Sequence, residues 1–461
     1  MISNVSPDFN RGIVWSFPPC YPELWIRVSS RVYGRHEDRR VAPGGTMETD
    51  LLVIGGGVIG VSSAYYLQKA GRRVTLMEQG PDLCSGSSWG NAGWISPRHS
   101  VPLASPGAVG KALRWMFRPA SPFYVKPRLD PALISWLMRF RSATNGRAVR
   151  RTTAIAWEFA EASLALYDET VRQERLECEF NRKGLLHVYR TQHEYREALV
   201  EMHLLRQVGI ACEVLEGDRA LELEPALKPG LAGAVFHPSD AHVQPYDFVN
   251  GLAARIEAMG GEVRLNTAVT GFELSGKTVA RVKTSNGDFT ANQVVLAAGA
   301  WSTPLVRDLR LKLPIQPAKG YSITFENVKN APSRPVMQSE AHVGVTPFGN
   351  GLRLAGTLEL SGINDRILPR RVQALRNAAR EYLQAELPPN GGRVWCGLRP
   401  MTPDNLPVIG APAHLQNLIV AAGHSMTGVT LGPATGKLVA QIAMGEKPYL
   451  SPEPFSPARF Q

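Results

Sequence analysis

The residues with the clearest chemical use are three glycines and a carboxylate. Gly55, Gly57 and Gly60 stand at G-x-G-x-x-G spacing directly after the apolar run Leu51 to Ile54, and Glu78 follows Gly60 by eighteen residues. In that pattern the first glycine permits a tight turn, the second lets backbone approach a pyrophosphate, and the third lets a helix pack closely on a strand. Glu78 ends a second apolar run, Val74 to Met77, where a carboxylate can accept hydrogen bonds from both hydroxyls of a ribose. With Gly56, Val58 and Ile59 completing the turn, the stretch reads as a dinucleotide cradle. A nicotinamide cofactor fits these residues alone as well as a flavin does.

Three further stretches have the composition of a ligand-facing backbone. Gly86 to Trp94 is small and hydroxyl-rich, so that Ser87, Ser88, Asn91, Ala92 and Gly93 can reach a phosphate or pass beside a flat ring. Val294 to Ser302 is a buried-strand run that ends in small residues around Gly299 and Trp301. It places flexible backbone at the carboxyl end of a parallel strand, the face on which doubly wound sheets bind ligands. Near the C-terminus, WCGLRPMTPDNLPVIG (395–410) precedes an apolar run at 418–422 and a loop from Gly423 to Gly428 containing His424 and Thr427. A helix expected from Pro433 to Met444 would present amides and positive dipole to negative charge in front of it.

The elements that must position these groups follow from periodicity and punctuation. A helix from Val58 ends at Gly71, a natural left-handed stop. Helical spacing recurs over 152–175, 192–208 and 247–259, and Gly260-Gly261 ends the last of these. Strands are expected at 184–189 and 262–269, then a hairpin from Phe272 to Phe289 with turns at Ser275-Gly276 and Asn286-Gly287. From 311 to 360, short β-like runs separated by Gly and Pro predict an antiparallel sheet, followed by a helix near 370–387.

Composition narrows the class. At 461 residues, 44% hydrophobic and 20% charged, the chain is sized for two closely built domains. No apolar run approaches the roughly 18 to 20 residues that span a bilayer. Five cysteines without a CxxC pair argue against a disulfide framework or a zinc site and for a reducing cytoplasm. The net charge of +11 is spread rather than blocked, which excludes nucleic acid as the expected partner and favours anionic substrates or an anionic membrane surface. A basic and aromatic mixture from Gly107 to Lys126 has the composition of a cap over the site, or of a peripheral dock for a membrane or an electron acceptor. Residues 1–46 hold five prolines, six arginines and four acids without periodicity and do not make a signal peptide. They are expected to be a disordered or non-native extension, with Met47 as the natural start.

Taken together, the fingerprint with Glu78, the Gly86 to Gly93 loop, Val294 to Ser302 and Gly397 to Gly428 resemble the D-amino-acid-oxidase-type family of FAD-dependent oxidoreductases. The stretch GKALRWMFRPASPFYVKPRLDPAL (110–133) is similar to its bacterial D-amino-acid dehydrogenase small-subunit branch. The resemblance implies an α/β fold in which a Rossmann-like FAD-binding domain is interleaved with an α+β substrate domain built on an antiparallel sheet. FAD-binding parts would come from 47–100, 240–310 and 395–450, substrate-domain parts from 101–239 and 311–394, with a tail at 451–461.

By the same resemblance, Glu78 holds the adenosine ribose, Gly55 to Gly60 the pyrophosphate, and Val269 lies near the adenine. Ser87 to Gly93 would line the phosphates and isoalloxazine, and Gly423 to Gly428 its pyrimidine edge. Arg399 matches the family arginine that binds the substrate carboxylate, where a planar fork serves bidentate recognition. His342, His424 and Tyr321 are further expected pocket residues. Some members attach FAD through a cysteine; alignment on Thr402-Pro403-Asp404 puts that position at Gly397 rather than Cys396, so noncovalent FAD is expected. Arg353 stands on the strand where oxygen-using members carry a lysine, which favours a dehydrogenase passing electrons to a quinone or carrier protein. The rival readings are an oxygen-using glycine or sarcosine-type oxidase, and a flavoprotein subunit with structural FAD.

Overall fold

The computed structural model describes residues 46–97, 123–207 and 212–461. The expectations for residues 1–45, and for the basic and aromatic stretch before Phe123, lie outside the described residues.

Along the chain the strands are β1 Thr46–Ile54, β2 Val74–Met77, β3 Trp94–Ile95, β4 Phe123–Val125, β5 Leu185–Tyr189, β6 Glu213–Glu216, β7 Gly233–His237, β8 Ala241–His242, β9 Glu262–Arg264 and β10 Val269–Ser275. They continue as β11 Thr278–Thr284, β12 Asp288–Leu296, β13 Gln316–Phe325, β14 Val336–Gln338, β15 Val343–Phe348, β16 Gly351–Leu360, β17 Arg393–Met401, β18 Val408–Gly410 and β19 Leu418–Ala422. The main helices are α1 Val58–Lys69, α2 Pro131–Ala143, α3 Gly146–Glu174, α4 Gln192–Gln207, α5 Gly217–Leu223, α6 Pro245–Ala258, α7 Pro369–Tyr382 and α8 Gly428–Met444.

One sheet has a parallel centre in the order β9-β2-β1-β12-β19, extended by the β10-β11 hairpin and by β18. β1 is central because Leu51 to Ile54 are apolar on both faces and buried on both. α1, α3, α6 and α8 cover one face in a common apolar core. Small residues make the α1–α8 crossing close: a Cβ on Gly436 would lie 2.5 Å from Ser62 O, and one on Gly432 2.9 Å from Val58 Cγ2. α1 ends at Ala70, with Gly71 at φ +83° beyond it, as its sequence predicts.

The second sheet runs β17-β13-β16-β15-β14-β5-β7-β6, with β4 against β16. It is antiparallel except where β14 meets β5 and β16 meets β4, both parallel. Its two faces separate by residue parity. On β13, Tyr321, Ile323 and Phe325 point into the core beneath α7, while Ala318, Gly320, Ser322 and Thr324 share the other face with Arg399, Gly397, Trp395 and Arg393 of β17.

Four local expectations change. The strand expected over 262–269 breaks after Arg264, because Asn266 takes a left-handed φ of 52° and the chain wraps the end of β2, with Asn266 N donating to Gly80 O and Thr267 N to Glu78 O. α8 begins at Gly428 and carries Pro433 inside it. The proline frees the carbonyl four residues back, and Tyr167 Oη donates to that Val429 carbonyl at 2.6 Å, so the defect is satisfied. The helix expected near 370–387 stops at Tyr382. The domain boundary expected at 395 falls inside β17, which pairs with β13 from Arg393 to Met401 and so lies in the second sheet; the chain rejoins the first at β18.

Candidate functional site

The fingerprint turn is built by contact between backbones. Gly55 has φ +114°, and a Cβ on Gly60 would stand 1.8 Å from Gly55 O, so only glycine lets α1 start this close to β1. Gly57 is the N-cap of α1 with no side-chain cap, while Ser88 Oγ accepts from Val58 N at 3.1 Å. Glu78 sits at the end of β2, accepting from Gly56 N at 2.7 Å and Gly80 N at 2.9 Å. The Gln79 amide bonds it as well, and since a carboxylate has about four lone-pair sites, room is left for a ribose hydroxyl. The 264–269 segment that ends at Val269 passes beside it. Ala297 O lies against Gly55, and the turn Gly299–Trp301 after β12 reaches towards β17.

The loop 86–94 joins the two sheets. Thr346 Oγ1 donates to Ala92 O at 2.8 Å and receives Trp94 Nε1 at 2.8 Å. Arg353 Nη1 donates to Asn91 O at 2.9 Å and its Nε to Thr324 Oγ1 at 3.1 Å. This guanidinium is 3% exposed and lies near the rings of Phe348 and Trp89; desolvation pulls its pKa down to about 10, which leaves it charged at neutral pH. Asn91 Oδ1 accepts from Gly93 N at 2.8 Å, and Gly93 itself has φ +75°. Gly90 is bare because the Trp395 ring lies where its Cβ would be, and the same ring covers Gly397.

Arg399 closes the site from β17. Nη1 donates to Thr357 O at 2.7 Å, and burial lowers its pKa to about 10, so it stays cationic. Gly320 gives it room, since a Cβ there would stand 2.2 Å from Nη1. Arg399 therefore offers Nε and Nη2 to a planar anion, on the sheet face that meets the 86–94 loop.

These features fit FAD: a helix start whose N-cap is a glycine without a side chain, a carboxylate with acceptor capacity left, and backbone with open space at Gly86 and Gly299, where an added Cβ would meet nothing within 4 Å. The model of the FAD dependent oxidoreductase family matches residues 50–442. The chain belongs to that family. The oxidoreductase is 35% identical over 410 residues to the D-amino acid dehydrogenase of Bradyrhizobium diazoefficiens, covering 86% of this chain and 96% of that one. It is 33% identical to the D-amino acid dehydrogenase of Methylobacterium nodulans, covering 89% and 99%. Its fold is similar to glycine oxidase from Geobacillus kaustophilus, with TM-score 0.69, 26% identity and 89% and 98% of the two chains covered. The L-proline dehydrogenase of P. horikoshii shares the fold at TM-score 0.67, 20% identity and 90% and 98% coverage.

Of the further expected pocket residues, Tyr321 stands away from Arg399. Tyr321 is on the opposite face of the second sheet from Arg399, because the two differ in parity on paired strands; its hydroxyl donates to Glu359 Oε2 at 3.0 Å in a buried cluster with Lys319 and Arg371. His342 is an exposed residue in the β14–β15 turn, with φ 51°, and its carbonyl lies 3.0 Å from where a Cβ on Gly356 would be, one residue before the Thr357 that Arg399 contacts. His424 is 2% exposed and its Nε2 bonds Thr435 Oγ1 of α8 at 3.0 Å. Burial lowers its pKa to about 3, so it is neutral at any working pH. Thr427 Oγ1 donates back to His424 O at 2.9 Å, stiffening the loop before α8.

The sign of this shift gives a prediction. The unfolded chain protonates His424 near 6.5 and the native one only near 3, so its contribution to stability is complete above 6.5. It is lost as pH falls below 6.5, by up to about 1.4 kcal/mol per pH unit. His424→Gln should flatten the acid side of the stability curve and leave the pH profile of kcat unchanged. A displaced kinetic limb would place His424 in the chemistry.

Sequence reasoning missed Gly320, Thr357, Trp395 and the Arg353 clamp on the loop. Their signal is strand register, which no local window of sequence contains.

Proposed function

We propose that the oxidoreductase is a dehydrogenase that oxidatively deaminates a small amino acid, either a D-amino acid or a cyclic imino acid such as a hydroxyproline isomer. The observation that carries the reading is Arg399: a desolvated cation, held by one backbone carbonyl, that faces the cofactor loop. A bidentate hold on the substrate carboxylate fixes the direction of the Cα–H bond, and orientation of this kind lowers the entropic part of a barrier. Bound FAD would supply the hydride acceptor. Water then hydrolyses the imine product to a 2-oxo acid, or the imine stays cyclic. With the amine bound neutral, no strong base is required. The similarity to proteins named D-amino acid dehydrogenase supports this substrate class.

Noncovalent FAD is supported by Cys396, whose Sγ contacts Asp365 O at 3.3 Å on the Tyr321 face of β17, away from the face that carries Gly397 and Arg399. An electron acceptor other than oxygen, a quinone or carrier protein, is supported by the fixed Arg353 guanidinium on β16. No helix among the described residues is long and apolar enough to cross a membrane. The net charge of +11 supports peripheral contact with an anionic surface as the way a membrane quinone would be reached.

The test is anaerobic mixing of the yellow protein with a panel of D-, L- and N-alkyl amino acids. Bleaching by a subset is expected, with faster turnover on an artificial dye than on oxygen. Peroxide formation matching dye reduction would favour the oxidase, and absence of bleaching by every amino acid would favour structural FAD.

A further inference from the structure

The positive charge forms no block of adjoining cations, yet it is not even along the chain. Between Leu83 and Trp157 stand eleven lysines and arginines against one acid, Asp130, so this span alone carries +10 of the net +11. That acid is spent locally: its Oδ1 caps α2, accepting from Ala132 N at 3.0 Å and Leu133 N at 3.2 Å, and its Oδ2 takes Arg128 Nε at 2.9 Å. Lys126, Arg141, Arg147 and Arg150 are exposed and have no carboxylate partner among the described residues. Arg147 and Arg150 lie in the first two turns of α3, the end at which a helix dipole repels cations, and no acid stands in that first turn.

α2 is apolar on two sides. Leu133 and Trp136 face the second sheet, where they pack with Ala318 and Leu358 and Trp136 Nε1 donates to Met401 O at 3.0 Å. Ile134 and Met138, one turn apart, are 49% and 64% exposed, Arg141 continues their stripe, and Leu129 just before the helix is fully exposed. Aliphatic surface left in water gains by burial, and an aliphatic stripe flanked by cations is the pattern of a helix that lies in a membrane interface. At 13 residues α2 is too short to cross a bilayer, which takes about 20.

We propose that α2 seats the protein on an anionic lipid surface, with Leu129, Ile134 and Met138 entering the acyl boundary and Lys126, Arg141, Arg147 and Arg150 meeting the lipid phosphates. Its use rests on the reading above that electrons leave to a membrane acceptor. A second copy of this chain would bring the same positive charge to the contact. Protein interfaces anchor on aromatic residues in pockets, whereas Leu, Ile and Met enter hydrocarbon without a matching pocket. Docking by α2 brings the substrate site close to the bilayer: Met401 is two residues from Arg399 on β17, and Ala318 beneath α2 pairs with Arg399.

The test is flotation of the FAD-loaded protein with vesicles of phosphatidylcholine, alone or with phosphatidylglycerol as about a third of the lipid. Binding is expected with the anionic vesicles only, and it should fall steeply as salt is raised. Arg141→Gln, Arg147→Gln and Arg150→Gln together should weaken it roughly hundred-fold, about fivefold for each cation. Ile134→Ser with Met138→Ser should weaken it about tenfold or more. All five side chains are exposed, so melting temperature and amino-acid turnover with a soluble dye should match the parent. Reduction of a quinone carried in the vesicles should fall in step with binding. A parent that binds neither vesicle, or variants that bind like the parent, overturns the dock. So does a parent whose self-association, read by sedimentation, is abolished by Met138→Ser, since that face would then be an interface between copies. A parent that binds anionic vesicles but bleaches with no amino acid supports the dock and overturns the amino-acid reading instead.

Discussion

Arg399→Ala should keep its yellow FAD and lose nearly all amino-acid turnover. The variant touches none of the contacts that form the dinucleotide cradle, which lie at Gly55 to Gly60, Glu78 and Ser88 on the other sheet. On the proposed reading it removes a bidentate pair of charge-assisted hydrogen bonds to the substrate carboxylate, each worth about 1.5–3 kcal/mol. Two such bonds correspond to a fall in kcat/KM of roughly 10²- to 10⁴-fold. Arg399→Lys should recover only part of this, because an ammonium is a point charge without the planar fork. Steady-state dye reduction, with FAD content measured on the same samples, checks the result. Parent-like kinetics in the alanine variant would remove Arg399 from the substrate pocket.

Gly60→Ala acts at the opposite end of the cofactor. The new Cβ would stand 1.8 Å from Gly55 O and 3.4 Å from Ala297 Cβ, so neither neighbour can yield without moving β1 or β12. Overpacking of this kind costs typically about 1–3 kcal/mol, and backbone against backbone belongs at the upper end. α1 must retreat from β1, and its first amides leave the position at which a pyrophosphate would sit. Purified variant should be largely apoprotein with a lowered melting temperature. Gly271→Ala, where an added Cβ meets nothing within 4 Å, is the control and should be near neutral. A Gly60→Ala protein that retains full FAD would show that the helix start does not carry the cofactor.

The same contrast between local and distant determinants runs through the whole site. Tyr321 and Arg399 both belong to conspicuous stretches, yet pairing of β13 with β17 puts them on opposite faces. A shift of one residue in that pairing would exchange them, because side chains alternate with period two. His424 lies inside a glycine-bracketed loop that does precede a helix, but the direction of its ring is decided by Thr435, eleven residues further on. Cys396 and Gly397 are adjacent in sequence and face different compartments of the fold.

By itself the sequence determined the dinucleotide cradle, the parallel strands on either side of it, the hairpin from β10 to β12 and the family. These depend on short-range facts: which residues tolerate a left-handed or crowded backbone, and which apolar runs demand burial on two faces. Only the tertiary structure decided that β17 joins the second sheet, that Arg353 clamps the loop at Asn91, and that a bulge at Thr357 turns a carbonyl to Arg399. Those outcomes are set by hydrogen-bond register between strands far apart in the chain. Register is a property of the pair, and neither strand carries it alone.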